Sequence, residues 1–329
     1  MLLGMYCMIG ATMVKAQEQT NTSSDGKYIL VEDWPESSIR SNMGQPSGLG
    51  IDREGNLIVF HRADAIDSSD PKRLISKNTM LKIDTHSGEV LKERGDGLFC
   101  WPHGLNVDKD GNIWVTDVGL HQVFKFDENG VLLMKLGVTG EAGSDTMHFN
   151  KPTDVAVAED GSFYVSDGYG NSRVVKFSPS GKFMFQWGEK GTGEGQFNIP
   201  HSIDLDGDGN VIVADRNNAR IQKFDAKGNF LEEWRNEVGA NVYAIKAAFT
   251  KGGLFAVDYR VENDGAQILG SNIIQFDSDF NVVNQQGRIG AYDGPVCRYH
   301  DIEIDEAGNI YVVDLLENRI QKFERGSID

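Results

Sequence analysis

Cysteine is scarce: three occur in 329 residues, at positions 7, 100 and 297. The first falls in an N-terminal apolar stretch, and two more are too few for the disulfide framework of small secreted domains, so stability has to come from a hydrophobic core. Positive charge is also in short supply. Lysine and arginine total 32 against 49 acidic residues, giving a formal net charge of −17 spread along the chain. A field of that sign repels phosphate and argues against nucleic acid as a partner. Helical periodicity is missing, and beyond residue 16 no apolar run is long enough to span a bilayer. With 40% hydrophobic and 25% charged residues, the chain still has the composition of a folded protein with a large core.

Residues 1–16 (MLLGMYCMIGATMVKA) are apolar and end on small residues before a polar run, the pattern of an export signal. Cys7 lacks the small residues that precede a lipid-modified cysteine, so no lipid anchor is expected. The reading is a signal peptide over 1–16, a disordered linker over 17–27, and one domain over 28–329. The mature protein is expected to be exported, periplasmic or secreted, monomeric and without stable membrane insertion.

Self-similarity organises that domain. Residues 101–130 (WPHGLNVDKDGNIWVTDVGLHQVFKFDENG), 151–181 (KPTDVAVAEDGSFYVSDGYGNSRVVKFSPSG) and 199–228 (IPHSIDLDGDGNVIVADRNNARIQKFDAKG) align almost without gaps, and weaker copies begin at Gln45, Asn241 and Arg298. Each of the six copies reads as a short alternating strand, a turn such as Asp110-Gly111 or Asp160-Gly161, a second strand ending in aspartate, a polar turn and a third strand. A unit of three or four antiparallel strands recurring about every 50 residues signals a propeller blade, and this unit resembles the NHL repeat. The expected fold is all-β, a six-bladed β-propeller whose ring is closed by a strand over residues 28–31. Asp117, Asp167, Asp215, Asp258 and Asp314 end second strands and read as turn-forming scaffold, as do Arg173, Arg220 and Arg319 at one position of the third strand.

Placed in register, the six innermost strands align Ser47, His103, Thr153, His201, Tyr243 and His300. His201 follows His103 by 98 residues and His300 follows His201 by 99, two repeats each time. The imidazoles therefore fall on alternate blades, about 120° apart around a six-bladed ring, and converge at one end of the channel. A lone histidine there reads best as a water-bonded channel residue. Three in alternate register form a trigonal nitrogen set with an open fourth position, the arrangement of catalytic zinc. His61, His86, His121 and His148 show no such relation and read as surface or loop residues, His61 standing out for its neighbour Arg62. Cys100 and Cys297 each precede one of the three histidines by three residues. That is about 10 Å along an extended chain, with an odd offset that turns the side chain to the opposite face. They also lie two blades apart, so neither metal ligation nor a disulfide is expected.

Between-blade segments carry further signals: Phe60-His61-Arg62, Pro102-His103-Gly104-Leu105, Pro152-Thr153-Asp154-Val155-Ala156-Val157, Val165-Ser166-Asp167-Gly168-Tyr169, Asn171-Ser172-Arg173 and Pro200-His201-Ser202. In these the chain resembles the peptidyl-α-hydroxyglycine α-amidating lyases from about Trp34 to Phe323. The resemblance implies zinc on His103, His201 and His300, the residues the register selects. It implies catalytic roles for Arg62 and Tyr169, and a structural calcium held by the Leu49 and Leu105 carbonyls and the Asp301 carboxylate, oxygen donors suited to a hard cation. Cysteine pairs of the animal enzymes are replaced by Asn150 and Gly170, and by Ile212 and Lys223. A substrate-side methionine is replaced by Arg298, an added cation that bears on the choice of substrate. No counterpart of the copper monooxygenase that supplies hydroxyglycine in bifunctional enzymes occurs in these residues, so the substrate is expected from elsewhere.

The reaction this implies splits an N-acyl-α-hydroxyglycine, peptidyl or a small analogue such as ureidoglycolate, into a carboxamide and glyoxylate. Tyr169 is then the candidate base, a role that needs a nearby cation, for which zinc and Arg62 are the candidates. Arg62 can also grip the substrate carboxylate in a planar fork. Two other readings stand beside it: a non-enzymatic NHL propeller binding a ligand or protein at its channel end, and a metal-dependent hydrolase such as a lactonase or esterase. Arg62 and Tyr169 together with the three histidines favour the enzyme.

Overall fold

A second strand such as Leu57–Arg62 (LIVFHR) is apolar on both of its faces, so it has to be covered from two sides. In the computed structural model this is met by six blades packed face to face around a ring. The structure describes residues 28–36, 39, 43–64, 70, 73–248, 253–262, 267–287 and 296–326. The signal and linker expected over residues 1–27 lie outside the described residues.

Each blade is an antiparallel meander of four strands. The innermost strands are Gln45–Ile51, Pro102–Val107, Asp154–Val157, Pro200–Leu205, Asn241–Ala248 and Tyr299–Ile304. Neighbouring inner strands touch all the way round, the last returning to the first. Tyr28–Leu30 pairs with Arg319–Arg325 in the register Tyr28↔Arg325 and supplies the outer strand of the sixth blade, so both chain ends close the ring. The fifth blade departs from the repeat: its second strand, Gly253–Glu262, runs past Asp258 and pairs with an extra strand, Gln267–Gly270.

The core is divided among the six gaps between blades. Leu57 and Val59 pack with Tyr311 and Val313 of the sixth blade, while the alternate residues Ile58 and Phe60 pack with Ile113 and Val115 of the second. Period-two alternation thus buries both faces of the same strand. Inner strands crowd toward the axis, and glycine is needed there. A β-carbon on Gly48 would come within 2.8 Å of the Leu105 nitrogen, and one on Gly104 within 2.4 Å of the Thr153 carbonyl oxygen.

Scaffold aspartates and arginines pair within their blades. Arg173 donates Nε to Asp167 at 2.9 Å, Arg220 to Asp215 at 2.7 Å and Arg319 to Asp314 at 3.0 Å. One histidine departs from its expected place. His61 is buried on a second strand instead of lying at the surface, because the strand parity that packs Phe60 on the second blade turns His61 inward under the Gly44 amide. Cys100 and Cys297 are buried and unbridged.

Candidate metal centre

The aspartates that end second strands also fix the segments that carry the histidines. Asp117 accepts the Cys100 and Trp101 amides at 2.7 and 2.9 Å, Asp215 the Asn198 amide at 2.7 Å, and Asp314 the Arg298 amide at 2.8 Å. Each tether lies two or three residues before a histidine, so the repeat's own turn chemistry sets the height at which each imidazole enters the channel.

His103, His201 and His300 are buried, and one ligand nitrogen of each lies within 4.8 Å of the others. Ring centroids are 4.7, 4.7 and 4.8 Å apart. Their Nδ1 atoms face backbone carbonyls: His103 that of Thr153 at 2.7 Å, His201 that of Tyr243 at 2.6 Å, and His300 that of Ser47 at 2.8 Å. Each carbonyl belongs to the register residue of the next blade. A carbonyl only accepts, so Nδ1 carries the proton and Nε2 keeps a lone pair, the second-sphere arrangement of metal-ligating histidines. Burial, with the Arg62 charge adding to it, lowers His103 from 6.5 to about 3. Burial and then neighbouring cationic and imidazole groups hold His201 and His300 well below their usual range. Three neutral imidazoles aimed at one point fit a zinc ion.

Tyr169 closes one side of this centre. Its hydroxyl lies 3.1 Å from Nε2 of His103 and 3.0 Å from Nε2 of His201. Arg216, which the sequence reading missed, donates Nη1 to that hydroxyl at 3.2 Å. Arg62 sits across the centre, stacked on Trp101 at 4.7 Å, with Nε donating to the Pro102 carbonyl at 2.9 Å and Nη1 to Gln45. The cation at the tyrosine is therefore Arg216, while Arg62 lies toward His103 and His300, whose charged forms it disfavours. Arg298 donates to the Tyr243 hydroxyl at 3.0 Å. In sequence Arg216 stands one residue after the strand-ending Asp215 and Tyr169 two after Asp167, so both lie in the loops that follow second strands, at the same end of the ring.

Beyond the histidines the channel is acidic. Asp301, the expected calcium carboxylate, accepts the Leu49 amide at 2.8 Å, and Asp154 accepts the Ile203 amide at 3.1 Å. Burial, and after it their mutual repulsion, pushes the Asp301 carboxyl far above its usual range. Lys246 Nζ lies 2.9 Å from Glu303. The structure thus brings Asp301 to the inner strand that bears Leu49, in a channel where negative charge is in excess, which fits a hard cation.

Fold and site together define a class: an NHL-type propeller with a three-imidazole centre at one end of its channel. The NHL repeat family matches residues 99–126, 149–177 and 197–224. The peptidylglycine alpha-amidating monooxygenase of Rattus norvegicus is 41% identical over 320 residues, covering 88% of this chain and 31% of the rat protein. This chain accordingly spans about a third of the length of that relative. The probable peptidyl-alpha-hydroxyglycine alpha-amidating lyase of Caenorhabditis elegans is 35% identical over 292 residues, covering 84% of this chain and 82% of the worm protein. Among solved structures, a streptogramin B lyase superposes with a TM-score of 0.54 at 14% identity, over 87% of this chain and 95% of its own. A gluconolactonase from Xanthomonas campestris does so at 0.60 and 13%, over 92% and 98%. These structural likenesses speak for the propeller fold alone. The chain belongs to the peptidyl-α-hydroxyglycine α-amidating lyase family.

Proposed function

We propose that this protein cleaves N-acyl-α-hydroxyglycines to a carboxamide and glyoxylate, with zinc held by Nε2 of His103, His201 and His300. The observation that carries this reading is the Tyr169 hydroxyl, set within hydrogen-bond reach of two of the three ligand nitrogens. A hydroxyl group bound at the centre would lie beside a proton acceptor on a fixed side chain. Zinc, when bound, supplies Lewis-acid polarisation that eases loss of the hydroxyl proton.

Tyr169 takes the hydroxyl proton as its phenolate, the form that the Arg216 guanidinium at its oxygen stabilises, and the negative charge passes to the substrate oxygen. As the carbon–nitrogen bond breaks, the electron pair left on the hydroxyl oxygen becomes the carbonyl of glyoxylate. The departing nitrogen receives a proton back from Tyr169, so neither water nor an oxidant is consumed. Arg62, braced by Trp101, Pro102 and Gln45, offers a guanidinium to the substrate carboxylate on the side of His103 and His300. Asp301 with the Leu49 and Leu105 carbonyls would hold calcium and tie the first, second and sixth blades together at the channel.

Incubating zinc-loaded protein with α-hydroxyhippurate tests this. Benzamide and glyoxylate in equal amounts are expected. Absence of glyoxylate, or release of benzoate instead of benzamide, would overturn the lyase reading, the latter in favour of a hydrolase.

A further inference from the structure

Three gaps separate the three imidazoles, and each is filled differently. Arg62 ends a strand of the first blade, between the blades of His300 and His103, and bonds the Pro102 carbonyl beside His103, while Tyr169 lies against His103 and His201. In the third gap the Tyr243 ring lies 5.2 Å from His201 and 6.0 Å from His300. The proposed chemistry uses the first two and leaves the third without a task. Yet the third is elaborately built. Tyr243 has the Arg216 guanidinium 5.0 Å from its ring centroid and that of Arg298 at 5.5 Å, with its hydroxyl bonded to Arg298 Nη2 at 3.0 Å.

Arg298 is half-buried, stands 5.2 Å from the Tyr259 ring, and has a buried Nε with no hydrogen-bond partner. Asp314, which accepts the Arg298 backbone amide, is engaged by Arg319 as well. Among the described residues no carboxylate bonds the Arg298 guanidinium. A planar cation held against two phenol rings, with no carboxylate bonded to it among the described residues, is preorganised for an anion.

Substrate geometry says which part of the ligand arrives there. The reacting carbon bears a hydroxyl, a carboxylate and an acylated nitrogen. The hydroxyl sits at the imidazoles beside Tyr169 and the carboxylate goes to Arg62, which leaves the third gap for the acyl group. We propose that Arg298, braced by Tyr243 and Tyr259, is the specificity-determining residue for that acyl group and selects substrates whose acyl part carries a second negative charge, such as a succinyl group or a peptide ending in an acidic side chain before the hydroxyglycine. The assignment rests on the lyase reading for the direction of the ligand, and on the Arg298 surroundings for the charge.

Two measurements separate the two claims. Equilibrium binding of N-succinylglycine and N-benzoylglycine, which lack the hydroxyl and are not cleaved, reads selectivity without turnover. The ratio of kcat/KM for the corresponding α-hydroxyglycine adducts reads it during glyoxylate release. In both, the succinyl compound is expected to be preferred by about 10-fold or more, as one charge-assisted hydrogen bond supplies. The preference should shrink toward unity in Arg298→Gln, recover in part in Arg298→Lys, and weaken in the wild type as salt is raised. No preference in the wild type, or an unchanged ratio in Arg298→Gln, overturns the assignment while leaving the lyase intact. Glyoxylate from neither adduct overturns the lyase reading, and the binding ratio then still decides the role of Arg298.

Discussion

Arg216 and Tyr169 meet at 3.2 Å, guanidinium nitrogen to phenol oxygen, with the guanidinium carbon 5.2 Å from the centre of the phenol ring. They come from equivalent loops of adjacent blades, each just after the aspartate that ends a second strand. Under the proposed lyase chemistry this pairing makes Tyr169 the proton acceptor. Tyr169→Phe removes one oxygen and keeps the ring, so metal content and fold should persist while kcat falls by roughly 10²- to 10⁴-fold, the range for loss of a general base. Glyoxylate assays beside metal analysis check this. An unchanged kcat would assign the base to another group.

The metal assignment makes its own prediction. The His201 ring lies at the channel among the rings of His103, His300, Tyr169 and Tyr243, not between blades. His201→Ala should therefore lose most of about one equivalent of zinc and keep a native circular dichroism spectrum. Equal zinc in variant and wild type would mean that the ion binds elsewhere.

How the site could be read in the sequence follows from how a repeat stores information. His103, His201 and His300 were legible because the blade register turns a spacing of two repeats into an angle, and the carbonyls that orient them belong to the other three register residues, Thr153, Tyr243 and Ser47. Arg216 was not, since its place depends on how far a loop of the fourth blade leans over the third. His61 was misplaced for a similar reason: a polar residue at the end of an apolar strand reads as leaving the core, whereas here both faces of the strand are covered. The longer second strand of the fifth blade was not legible either, its copy of the repeat being one of the three weaker ones.

Calcium should be a separate stabiliser. Asp301 is half-buried beside Asp154, with two amide donors and the charge of Lys246 set against its own, so removing a divalent cation from that level restores the repulsion between the two carboxylates. Selective calcium chelation is expected to lower Tm by several degrees in the wild type and by much less in Asp301→Asn, read by calorimetry with zinc kept saturating. Equal shifts in the two proteins would remove Asp301 from the ligand set.

His61 gives a stability prediction at acid pH. Burial lowers it from 6.5 to about 4, so between those values the unfolded chain binds a proton that the folded chain does not. Stability then falls as pH drops through this window, by up to about 3 kcal/mol for a shift of this size. His61→Gln does not titrate. The difference in unfolding free energy, wild type minus variant, should become more negative by about that amount between pH 7 and pH 4 in denaturant titrations, and a constant difference would show that the imidazole is not held neutral.

Arg62 tests whether the site needs a fork or merely a charge. Its Nε and Nη1 are bonded to the Pro102 carbonyl and to Gln45, and its plane lies on Trp101, so the side chain joins the second strand of the first blade to the residue before His103. Lysine keeps the charge and loses both the plane and the second donor. If Arg62 holds the substrate carboxylate, Arg62→Lys should raise KM and lower kcat together, with kcat/KM falling by about 10²-fold, the loss of one charge-assisted hydrogen bond and of the alignment it gives. Zinc content should not change, because all three imidazoles keep their carbonyl partners. The contrast with a purely structural role is the ligand itself: replacing the substrate carboxylate by a neutral carboxamide should cost the wild type about the same factor and cost Arg62→Lys much less. Equal penalties in the two enzymes would place the carboxylate elsewhere in the site and leave Arg62 as the brace between the first two blades.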